Sequence, residues 1–187
     1  MNLDDLRVSE KQDLALAATA ACVDRLKKLT RWSDPHDAAL HAFLQSLLQN
    51  EERRFDELER AGIRRDRSGP GRLSQADRRR MLKEFFPSFY KPFGEGPMDR
   101  EREMYLAECL EEESARFYRE MADHATDPAN EDLFLRLERE DDSFLQLVRD
   151  VLLGQGRGVA AGSAEELRSL ARETHALSRK ITTMRRP

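Results

Sequence analysis

Apolar residues recur at helical spacing along most of the chain, and the interruptions fall in a few places. From Ser9 to Trp32, the residues Leu16, Val23, Leu26 and Leu29 share one face of a helix. Ser9 and Gln12 have capping-box spacing, in which each side chain satisfies a free backbone N–H of the first turn. A second helix is expected to start at Ser33-Asp34-Pro35, where Asp34 caps and Pro35 takes the first helical position, since an N–H there would be unpaired anyway. Its stripe reads Leu40, Leu44, Leu47/Leu48, Phe55 and Leu58, and Ala61-Gly62 ends it. The breaker Ser68-Gly69-Pro70-Gly71 follows. Ser74 then caps a short amphipathic helix to about Phe86, after which Pro87, Pro92, Gly94, Gly96 and Pro97 keep the chain irregular. A third long helix, Asp99 to His124, aligns Met104, Ala107, Glu111, Ser114, Tyr118, Met121 and Ala125. A fourth opens at Thr126-Asp127-Pro128 and aligns Phe134, Leu137, Asp141, Phe144, Val148 and Val151. Gly154 to Gly162 reads as a linker. Ser163 with Glu166 then caps a C-terminal helix that lines up Leu167, Leu170, Leu177, Ile181 and Met184.

Composition agrees with helices rather than strands. Val and Ile are few, while Leu, Ala, Glu, Arg and Gln are many. At 187 residues, 39% hydrophobic and 36% charged, the chain suits one bundle core with solvated outer faces. The net charge of −4 is spread along the chain, so neither nucleic acid nor an anionic membrane is an expected partner. The longest apolar stretch, Leu14 to Val23, is about half the ~20 residues a bilayer span needs. The segment MNLDDLRVSEK lacks the pattern of a secretory signal, and Cys22 and Cys109 form no CxxC or disulfide framework, so the cytoplasm is the expected compartment.

The two helix pairs echo each other. Trp-Ser-Asp-Pro joins the first pair and Ala-Thr-Asp-Pro the second. Each second helix then carries acids followed by a Phe: Glu51-Glu52-Arg53-Arg54-Phe55 and Glu140-Asp141-Asp142-Ser143-Phe144. Two hairpins with a long crossover form one of the known bundle topologies. The stretch from Ala107 through Glu111 to the aromatic pair Phe117-Tyr118, with the acidic helix after it, resembles the second half of rubrerythrin-type domains of the ferritin-like superfamily. The resemblance is good over residues 104–150 and weak over 14–58. It implies an all-α, ferritin-like four-helix bundle over residues 1–153. The long crossover between its second and third helices is residues 62–98, and residues 154–187 form a separate linker and C-terminal helix.

The resemblance also implies a di-iron centre, built from one Glu on each first helix and a Glu-x-x-His on each second helix. The third helix keeps its Glu as Glu111. The first helix has Thr19 where a Glu is expected. The second and fourth offer Glu52-x-x-Phe55 and Asp141-x-x-Phe144; one residue earlier they read Glu51-x-x-Arg54 and Glu140-x-x-Ser143. No histidine occurs in either register. Phe has no lone pair for a metal, so the expected remnant is three carboxylates, Glu52, Glu111 and Asp141, with a matched loss at Phe55 and Phe144. All-oxygen sets suit hard cations, so no cofactor is expected, and the one alternative is weakly held Fe, Mn or another divalent cation.

Carboxylates on apolar stripes need an explanation, because an unpartnered buried charge is costly. A weak metal, an inward turn of Arg53 or Arg54, or a rotation of the acids into solvent would each supply one; the inward arginine is the preferred reading. Tyr118 is either a partner of a site carboxylate or an ordinary core tyrosine. His36, His41 and His124 fall near helix ends. The aromatics Phe85, Phe86, Phe89, Tyr90 and Phe93 either cap the bundle or join an oligomer contact. The expected function is therefore non-catalytic, through binding or assembly. The expected assembly is a homodimer or larger homo-oligomer, with a protein partner conceivable at the C-terminal helix. The alternative is an oxidoreductase using the altered carboxylate site.

Overall fold

The computed structural model describes residues 3–34, 36–63, 73–90 and 100–152, and among these the chain is all-helical. Five α-helices follow in order: α1 (Val8–Trp32), α2 (Ala38–Ile63), α3 (Gln75–Phe85), α4 (Arg100–Asp123) and α5 (Pro128–Leu152). Short 3-10 turns cover Leu3–Asp5 and Pro87–Tyr90. The Gly-rich linker, the C-terminal helix and the Arg64–Arg72 stretch lie outside the described residues.

Local chemistry sets the helix ends. At α1 the carboxylate of Glu10 accepts from the backbone N–H of Arg7 at 2.8 Å, so the cap sits just before the Ser9–Gln12 pair expected from sequence. At α2 the cap is Asp37, which accepts from the N–H of Leu40 at 3.0 Å, while Asp34 closes a turn onto the N–H of His36 at 2.8 Å. The helix therefore opens after the Asp-Pro pair, not within it. Ser74 caps α3 by accepting from the N–H of Asp77, and α5 opens at Pro128, as the sequence pattern expects of both.

Helices α1 and α2 form one hairpin and α4 and α5 another, each pair in contact over most of its length. Cross-hairpin contacts fix the directions. Lys11 near the start of α1 donates to the carbonyl of His124 past the end of α4, and Asp37 before α2 pairs with Arg100 at the start of α4 at 3.4 Å. Gln12 of α1 meets Asn130 of α5 at 2.8 Å. So α1 runs opposite to α4 and alongside α5, while α2 runs alongside α4. The connection from α2 to α4 must carry the chain back along the helices, and it is the long one.

The hairpins share one apolar interior, including Leu14, Leu26, Leu40, Phe43, Phe117, Tyr118, Phe134 and Phe144, all at most 1% exposed. The connection is pinned to it. Phe86 is wholly buried, stacks on Phe89 at 4.6 Å between ring centroids, and lies 5.3 Å from Phe117; Phe85 meets Phe117 edge-on at 5.2 Å. Arg25 donates to the carbonyl of Ser88, Arg116 to that of Phe85, and Glu113 accepts from the Ser88 hydroxyl. Phe85, Phe86 and Phe89 thus pack within their own chain, while Phe93 lies outside the described residues. Among the described residues no helix is long and apolar enough to cross a membrane.

Candidate functional site: a buried arginine among carboxylates

Midway along the interior, the apolar layers give way to charge. The stripe of α2 passes from Leu47 and Leu48 to Glu51, Arg54 and Leu58, all buried. The register on α2 is thus the earlier of the two the sequence allows. This corrects the expected remnant. Glu52 points outward and pairs with Lys27 at 3.0 Å, with 47% of its side chain exposed, and Phe55 is only partly buried. Glu111 on α4 and Asp141 on α5 do face inward, at 1% and 0% exposure. The acid that joins them is Glu51. At the i+3 positions where the resemblance calls for histidine, Arg54 stands on α2 and Phe144 on α5, so the two replacements are not alike.

Arg54 has no exposed surface. Its Nη1 donates to Glu51 at 2.5 Å and to Asp141, and its Nε approaches Glu140 at 3.3 Å. Arg53, partly exposed, closes the outer side by pairing with Glu140 at 2.7 Å. The Phe144 ring lies 5.8 Å from the guanidinium carbon, within range of a cation–π contact. On the far side, Thr19 and Tyr118 share a hydrogen bond of 2.6 Å. Tyr118 thus bonds a hydroxyl where a site carboxylate had been one of its two expected partners. Thr19, on the α1 position where the resemblance calls for a Glu, also donates to the carbonyl of Ala15 at 3.0 Å.

Burial governs the electrostatics. Desolvation raises Glu51 and Glu111 above the usual carboxylate range, Glu111 strongly, against the pull of Arg54. It pushes Asp141 up to about 8, with Arg54 and Ser114 opposing. For Arg54 burial works toward deprotonation, but Asp141, Glu51 and Glu140 outweigh it and keep the guanidinium charged. Burial also raises the Cys22 thiol and the Tyr118 phenol, and the nearby carboxylates add to both shifts. Neither is prepared as a nucleophile.

The other residues singled out from sequence lie elsewhere. Cys22 is buried and Cys109 half-buried, and both are free thiols. His41 faces the Ser33 hydroxyl at 3.1 Å and His124 faces Asp4 at 2.6 Å, both near helix ends. An outer groove between α4 and α5 is lined in part by Cys109, Arg116, Arg119, Asp142 and Arg149. Its arginines are engaged: Arg119 pairs with Glu138 and Arg149 with Glu108.

A metal does not fit this interior as it stands. Among the described residues no three His, Cys, Asp or Glu side chains form a metal-ligand group. More directly, a guanidinium already occupies the point where Glu51 and Asp141 converge, and the facing Phe144 offers a ring in place of a lone pair. No protein-family model matches the chain, and no match is found among curated proteins or solved structures.

Proposed function

We propose that this chain is a ferritin-like, rubrerythrin-type four-helix bundle without a working di-iron centre, which acts by binding or assembly rather than by catalysis. Three features support this reading. The helices run in the directions that a bundle with one long crossover requires. The inward acids sit on three of the four helices that would carry the metal ligands, at Glu51, Glu111 and Asp141. The two positions where the family places histidines hold Arg54 and Phe144.

The single observation that carries the proposal is the fully buried Arg54 paired with Glu51 and Asp141. A cation fixed to the backbone supplies the charge that bound metal would otherwise bring, and it cannot cycle between redox states. The test is metal content. Purified protein is incubated with Fe(II) without oxygen, freed of excess, and assayed for iron. Iron at the background level of a protein lacking the bundle is expected. Stoichiometric retained iron with turnover of peroxide or oxygen would instead favour the altered-site oxidoreductase.

A further inference from the structure

We propose that the buried carboxylates of Glu51, Glu111, Glu140 and Asp141 form an internal cation site selective for a planar guanidinium, and that Arg54 is its tethered occupant. The proposal deepens the reading above by naming what took the place of metal chemistry.

The contacts are spread across the plane of the guanidinium rather than gathered around one point. The guanidinium is engaged at two separate edges, Nη1 toward Glu51 and Asp141 and Nε toward Glu140. A compact ammonium could meet Glu51 and Asp141 together, but reaching Glu140 at the same time takes the extended plane of a guanidinium. The Phe144 ring adds a π-surface near the guanidinium carbon. Phe144 also leaves that side without the lone-pair donor that a metal ion needs.

The site also holds more acceptor capacity than one side chain uses. Glu51 Oε2, Glu111 Oε2 and Asp141 Oδ2 are buried and have no hydrogen-bond partner among the described residues, and neither does Arg54 Nη2. Four buried carboxyl groups surround Arg54, and only the partly exposed Arg53 joins it as a second cation there. Removing the Arg54 side chain therefore leaves an acid-lined cavity with the shape of the group removed.

The test is chemical rescue of Arg54→Ala by free guanidinium ion at low millimolar concentration, far below denaturing levels. Thermal midpoints are compared in guanidinium chloride, ammonium chloride and Mn(II) chloride at matched ionic strength. The expected result is a saturable rise in the midpoint of Arg54→Ala with guanidinium alone, and no rise for the wild-type chain. An equal or larger rise with Mn(II) or ammonium would overturn the selectivity, and no rise with any cation would overturn the site. Should Arg54→Ala fail to fold, Arg54→Lys decides: a midpoint clearly below wild type is expected, and wild-type stability there would overturn the claim that planarity matters. Iron retention by the wild-type chain bears on the functional proposal, whereas rescue of the truncated variant bears on the site, so the two failures are distinguishable.

Discussion

Replacing Arg54 by Met isolates the contribution of the buried cation. Met keeps an unbranched stem of similar reach, so the change removes charge and hydrogen bonds more than volume. In the folded chain it leaves Glu51 and Asp141 facing each other at 1% and 0% exposure without the guanidinium between them. Taking one partner from a buried pair costs about 3–5 kcal/mol, because the remaining charge is left uncompensated. For a chain of this size that is a fall of about 6–20 °C in the thermal midpoint. Asp141→Asn removes one of the charges that Met would strand, so the double variant is expected to recover about 1–3 kcal/mol relative to the sum of the single changes. The loss in Arg54→Met should also be larger near pH 8 than near pH 6, because at lower pH the stranded carboxylates escape the penalty by taking protons. Circular dichroism melts of the four chains at both pH values provide the assay. Additivity of the two substitutions, or a midpoint unchanged by Arg54→Met, would refute the idea that these groups form one coupled unit.

Three further outcomes follow from the same geometry. Because burial raises Glu51, Glu111 and Asp141, the fold holds protons that the unfolded chain has released. Stability should therefore fall as pH rises from the ordinary carboxylate range to about 8, and Asp141→Asn should flatten that slope; a variant profile parallel to wild type would remove Asp141 from the account. Phe86→Ala should cost about 3–5 kcal/mol and speed trypsin cleavage at Arg79 and Arg80, since Phe86 pins the crossover to Phe117; an unchanged digestion rate would show that the polar contacts of Ser88 suffice. Arg54→His together with Phe144→His should let the interior bind Co(II), because each new imidazole stands i+3 from an inward carboxylate. Co(II) ligand-field absorbance in the double variant, absent from wild type, is the readout, and its absence would show that the interior cannot adapt to a metal.

Much of the fold was legible in the sequence because local rules dominate it. The Asp-Pro and Thr-Asp-Pro junctions and Ser74 marked helix starts within a few residues, and the expected stripes are buried from Met104 to Met121 on α4 and from Phe134 to Val148 on α5. The α2 register was not legible. After Leu47 and Leu48 a helix can turn inward through Glu51 and Arg54 or through Glu52 and Phe55, and both keep the same period. Ordinary hydrophobic preference favours Phe over Arg inside. The inward arginine expected from the acidic pair beside it is Arg54, but its partners Asp141 and Glu140 lie on a helix far along the chain, and no local pattern shows which acid turns in with it. The sequence singles out Thr19 and Tyr118 separately, but their mutual hydrogen bond joins helices far apart along the chain and has no local signature.

The pairing of Arg54 with Asp141 also has a consequence for how the chain assembles in time. Each hairpin closes through contacts between helices adjacent in sequence, which form early because little chain entropy is lost. Joining the hairpins requires α2 and α5 to strip water from a guanidinium and several carboxylates before those groups can meet. The docking barrier should therefore carry a desolvation cost that the finished structure offsets only at the end. Substitutions at Asp141 should act mainly on the unfolding rate, giving low φ-values, while apolar positions within a hairpin, such as Leu26 and Leu44, should give higher ones. A high φ-value at Asp141 would mean that the ion pair forms early and guides docking.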